Sequence, residues 1–231
     1  MALADEIRSL RDRVLADLDF SHDYYTDTKT AWRLVLKAIA SGDEFTNQNA
    51  ITGTVTTQVD LAAKAHGYIA EQLNEATFQQ FIAIFEHFLF ELLRLWLTAY
   101  PESLGGKKVD FKVVLDAPDK DSITSLVVRK ELNEVLYDRP AGWFDYLESK
   151  AKLGCPSVDE IERIAEAKAS RDVLVYGRGI ANKTYESKAG NLARCKDGDR
   201  IAITDQYHRE TWGLLRRVIL DTSNAGIAKV S

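Results

Sequence analysis

The sequence predicts an all-α protein, a multi-helix bundle with at most short β segments, forming one domain over residues 1–231. Three observations carry that prediction. Apolar residues recur at steps of three and four along most of the chain. The stretch from Thr77 to Ala99 is apolar on two sides, as a central helix covered by neighbours should be. Ser157 stands three residues before Glu160, the pairing of a capping box at a helix start.

In chain order, Leu3, Ile7, Leu10, Val14 and Leu18 mark a helix over 4–19, and 20–27 (FSHDYYTD) reads as a polar-aromatic connection. A helix over 28–40 turns Trp32, Val35, Leu36 and Ile39 inward. Residues 41–53 are loop-like, with Gly42, Asn47 and Asn49 as breakers. A helix over 57–74 precedes the central one, in which Phe78, Phe81, Phe85, Phe88, Leu92 and Leu95 lie beside a second stripe of Ile82, Leu89, Leu93 and Trp96. Glu86, His87, Glu91 and Arg94 interrupt that segment, so it is not a membrane span. Residues 111–115 read as a short strand or extended loop. Helices follow over 121–137 and 143–152, then over 157–177, where Gly177 and Gly179 should end or bend the chain. Residues 183–199 read as polar loop, 200–204 as a brief strand, and 205–222 as the last helix.

Composition narrows the function classes. Hydrophobic residues make up 45% and charged residues 28%, which is ordinary for a globular protein. Cys155 and Cys195 lack a CxxC partner and there are four histidines, so neither a disulfide framework nor a metal site is expected, and no cofactor is called for. Free thiols and the absence of a signal-peptide pattern give a cytoplasmic expectation. A net charge of -5 argues against a general nucleic-acid coat. Residues 168–196 nevertheless carry a local balance of +5, against -10 for the rest. A basic segment on an acidic body suits a focused anionic ligand. A solvated face with clustered charge remains the plain alternative.

That segment begins on the capped helix. Steps of three and four from Ser157 pass Ile161, Ile164, Lys168, Arg171, Val175 and Arg178, so a stripe that starts apolar turns basic. Cations on a packing stripe are paired, at an interface, or lining a pocket, unless the helix rolls and they reach to water. Glu86, embedded among apolar neighbours, is the expected partner of Arg171.

The run SRDVLVYGRGIANKTY resembles the signature of the HEPN superfamily, in its branch of stand-alone prokaryotic proteins. That motif is an Arg, a polar residue, a few others, then His. Here Arg171 matches the Arg, Asp172 the polar position, and Gly179, Ile180 and Tyr185 the downstream part. FEHFLFELL resembles the family's central helix, whose Glu matches Glu86. The resemblance covers about 70–223 and leaves 1–60 as an N-terminal helical extension. Where the family has His this chain has Tyr176, and where Asn usually follows it has Gly177.

The resemblance implies a homodimer whose cleft cuts single-stranded RNA without metal, in a toxin or phage-defence setting with an antitoxin or defence-system partner. Attack by a ribose 2′-OH needs a base near pH 7 and a cation for the developing phosphate charge. Arg171 would hold phosphate, Asp172 would position the substrate or Arg171, and Tyr176 would occupy the general-base position. Lys168, Arg178, Lys183 and Tyr185 are candidate substrate contacts, with Glu86 in support. A tyrosine phenol, with a reference pKa of about 10, is a poor base at neutral pH. Three readings therefore stand: an endoribonuclease, a non-catalytic module binding RNA, nucleotide or protein, and a helical dimerisation module with a buried ion pair. His208 is the one histidine near enough in sequence to serve as a base, and an exposed helix-start role is the simpler expectation for it. Trp143, Tyr146 and Tyr207 are read as core aromatics rather than base platforms.

Overall fold

The computed structural model describes residues 2–45 and 47–231; Met1, and Thr46 within the segment read as loop, lie outside them. The first element is a single helix, α1 (Leu3–Ala40), where two were expected. No Gly or Pro interrupts 20–27, and the buried stripe continues through Ser21, Tyr25 and Lys29. These polar groups tolerate burial because each has a partner. Ser21 donates to Gln80, and Lys29 donates to Tyr25 Oη and to Asp205 Oδ1 at 2.6 Å.

A two-residue hairpin pairs Asn47–Gln48 with Val55–Thr56. Helix α2 (Gln58–Gly67), capped by Thr57, runs through a π-helical turn at Tyr68–Gln72 directly into α3 (Leu73–Ala99), so the expected break at 74–77 is absent. Both stripes of α3 are buried, apart from Leu95 near its end, which is partly buried. Its phenylalanines pack against Ile7, Val14 and Leu18 of α1 and the helices that follow. Fully burying one such side chain stabilises by about 1.5–3 kcal/mol, which makes α3 the axis of the core.

Residues 111–115 are helical, within α4 (Phe111–Asp116), because Asp110 accepts from the Lys112 N–H at the helix start. Helices α5 (Lys120–Leu136) and α6 (Pro140–Ala151, Pro at the first turn) follow as expected. Helix α7 (Val158–Tyr176) carries the complete capping box, with Ser157 and Glu160 bonding each other's backbone N–H. The segment read as polar loop contains α8 (Lys183–Ala189), whose N-cap Asn182 accepts from the Tyr185 N–H at 2.9 Å. A side chain at 182 thus turns the local polar run into a helix start. The chain at 200–204 forms one antiparallel bridge, Ile180 to Arg200, instead of a strand. Helix α9 (Asp205–Val230) closes the bundle against α1 and α3. Among the described residues, no helix is long and apolar enough to cross a membrane.

Candidate functional site

The end of α7 is shaped by two glycines with different duties. Gly177 caps the helix, its N–H reaching Val173 O at 2.9 Å. A Cβ there would sit 2.8 Å from Ile180 O and 2.9 Å from Val173 O, so no larger residue fits without moving backbone. Arg178 (φ 52°) and Gly179 (φ 79°) then turn left-handed and send the chain into the Ile180–Arg200 bridge.

One turn before this end, α3, α7 and α8 bring five charges together. Arg171 Nη2 donates to Glu86 Oε1 at 2.6 Å, the pairing expected from sequence. Lys168 Nζ stands 3.1 Å from Asp172 Oδ2 and 3.7 Å from Glu86 Oε1, above the Trp143 ring. Lys188, on α8, reaches Asp172 Oδ2 at 3.4 Å. Arg171 Nε lies 3.4 Å from Asp172 Oδ1 but off the hydrogen-bond axis, and it has no hydrogen-bond partner. Three cations over two carboxylates leave a net positive cluster with unsatisfied donor capacity, a setting for an anion.

Two cavities flank the Asp172–Lys188 pair. One, of about 210 Å³, is lined by Tyr137, Arg139, Pro140 and Lys168; the other, of about 240 Å³, by Val173, Tyr176, Asn182 and Thr184. Asp172, Lys188 and Ala169 belong to both walls. Arg171 lines neither, since it is turned toward Glu86. Tyr176 is exposed at the rim. Arg178 and Lys183 are exposed too and make no ion pair among the described residues. Tyr185 is buried: its backbone is capped by Asn182 and its hydroxyl donates to Glu166 Oε1 at 3.0 Å, so it packs the turn and offers no free hydroxyl to a ligand.

His208 is not exposed. It is fully buried beneath the first turn of α9, bonded to Thr77 and stacked on Tyr25. No histidine lines either cavity. Trp143 is core, while Tyr146 and Tyr207 are partly buried with their hydroxyls on carboxylates.

Sequence reasoning missed two groups. Lys188 was hidden in the segment read as loop, although Asn182 followed by a seven-residue helical run is its signal. Glu166, buried on α7, accepts from Ser170 Oγ at 2.7 Å, from Arg194 Nε at 3.0 Å, and from the hydroxyls of Tyr185 and Tyr207. Burial, with the Glu166 charge alongside, pushes both phenols up. Arg194 also donates to Ala202 O at 2.8 Å and lies over the Tyr207 ring, pinning the 190–203 segment to α7. Among the described residues no group of three or more His, Cys, Asp or Glu side chains converges as metal ligands would.

Fold and site together define a helical bundle with a half-buried charged cluster of net positive charge, of which Lys188 is the exposed member. Compared with protein-family models, with curated proteins and with solved structures, the chain matches none.

Proposed function

We propose that this chain engages single-stranded RNA on a HEPN-type endoribonuclease scaffold, with Tyr176 in the base position leaving it to bind without efficient cleavage. The observation that carries the reading is the pair of Lys168 and Lys188 on the walls of two cavities that no histidine lines, with Arg171 set behind them on Glu86. The cations supply phosphate attraction, and Asp172 holds both lysine heads at the cavity walls. A phenol at the rim donates a hydrogen bond or stacks on a base, but at neutral pH it removes a 2′-OH proton poorly.

Cleavage of a labelled single-stranded RNA in EDTA, beside a binding titration, tests this. The unaltered chain should bind without measurable cutting, Tyr176→His should cut, and Lys188→Ala should bind at least about tenfold more weakly, as loss of a charge-assisted phosphate contact implies. Cutting by the unaltered chain would show a base that the reading lacks, and absence of RNA binding at low salt would remove the reading altogether.

The proposal includes a homodimer, because the resemblance pairs two protomers across the cleft. Val175 and Ile180, partly exposed apolar side chains beside the rim, give a second copy something to cover. Light scattering on the purified protein should give twice the 26.0 kDa of one chain; a single-chain mass at micromolar concentration removes this part.

A further inference from the structure

The two cavities share one wall, and the feature that divides them is the Lys188–Asp172 ion pair. Each compartment carries one outward-facing tyrosine. Tyr137, at the end of α5, is 91% exposed and lines the first; Tyr176, at the end of α7, is 79% exposed and lines the second. An aromatic ring so open to water buries little apolar surface in the fold itself, so neither is held there by core packing. Each volume falls below the roughly 300 Å³ at which drug-sized ligand pockets begin, which suits a flat fragment apiece rather than one large ligand. The cations lie between and beside the compartments: Lys188 on the shared wall, Lys168 and Arg139 on the first.

We infer that the site reads a dinucleotide step of single-stranded RNA, with one base on Tyr137, the next on Tyr176, and the phosphodiester between them across Lys188 and Lys168. This rests on the RNA-binding reading of the same cluster and adds its register. The chemistry fits part by part. Base–aromatic stacking is tolerant of sequence and demands bases that are not stacked on each other, which the intervening ion pair enforces. The phosphodiester brings one negative charge to a wall where Lys188, nearly half exposed, is held among the described residues only by Asp172 at 3.4 Å and can turn toward it. Arg139, exposed and free of ion pairs among the described residues, lines the first compartment and is available to the phosphate preceding the first base.

Binding of oligoribonucleotides of one, two and three residues, and of a twelve-residue single strand, tests the register. Affinity should rise steeply from one to two residues and little from two to three. Tyr137→Ala and Tyr176→Ala should each weaken the dinucleotide by roughly 5- to 150-fold, the range for one base stacked on an aromatic ring. Tyr137→Phe and Tyr176→Phe should retain binding, because the ring and not the hydroxyl is used. Unchanged melting temperatures in the alanine variants, expected for exposed side chains, keep the losses attributable to binding. If the twelve-residue strand binds in a Lys188-dependent way but Tyr137→Ala has no effect, the two-base register is wrong and the RNA-binding reading stands. If no strand binds, both fall.

Discussion

Glu166→Ala is expected to lower the melting temperature by about 6–20 °C, more than any other single loss on α7. Removing one partner of a buried charge pair costs about 3–5 kcal/mol, because the remaining charge is left uncompensated. In a chain of this size each kcal/mol shifts the midpoint by about 2–4 °C. The loss is large here because one carboxylate serves four donors on four segments: Ser170 on α7 itself, Tyr185 on α8, Arg194 on the loop, and Tyr207 on α9. Alanine leaves Arg194 facing two phenols and a hydroxyl with no acceptor among them that carries charge. Glu162→Ala, one turn earlier and exposed, is the matched control and should stay within about 0.5 kcal/mol of the unaltered protein. Thermal unfolding of the three proteins decides it. A Glu166→Ala midpoint within two degrees of the control would mean that the lobe of α8 and residues 190–203 is not anchored through this carboxylate.

The same residue shows where reading a sequence stops. Local signals survived folding: Ser157 and Glu160 made their capping box, and the two stripes of α3 both went inside. Glu86 paired with Arg171 because a carboxylate among phenylalanines has few other ways to be satisfied. Glu166 gave no such warning. Its neighbours are charged or small, and its partners arrive 19–41 residues later from elements whose positions no periodicity fixes. The long α1 is the converse case. Ser21, Tyr25 and Lys29 look like connection chemistry until Gln80 and Asp205 are placed opposite them. Ser21, Lys29 and Glu166 are illegible in sequence because partners far along the chain make their burial tolerable. Of the candidate site, the α3–α7 pairing was legible, whereas Lys188 and the two cavities depend on α8 having formed and docked.

Stability should fall as pH drops from about 6.5 toward 3, and His208 is the chief cause. Its ring is fully buried, stacked on Tyr25 with centroids 3.9 Å apart and against Phe81 at 4.6 Å. Nε2 lies 2.7 Å from Thr77 Oγ1, and the Thr77 hydroxyl already donates to Leu73 O, so the network assigns the proton to Nε2. Nδ1 is then a bare acceptor with no partner, ready for a proton only at the cost of a buried charge. Burial, aided by His22 and Lys29, lowers its pKa to about 3. In the unfolded chain the ring titrates near 6.5. Above 6.5 both states hold it neutral and the full stability is present; below 6.5 only the unfolded chain takes the proton. Each pH unit in that window then removes about 1.4 kcal/mol, until the folded protein is itself protonated near 3. His22, also held down by burial, steepens the same fall. Asp205, lowered to about 2 despite its partial burial by hydrogen bonds from Lys29, Asn74 and Tyr25, contributes stability that is lost only as pH passes from about 3.8 to 2. The two windows separate in urea melts at pH 7.5, 6, 5, 4 and 3. His208→Gln, which keeps a donor toward Thr77 but cannot take a proton, should flatten the upper window and leave the lower one in place. A urea midpoint that does not move between pH 7.5 and 5 in the unaltered protein would place His208 in contact with water.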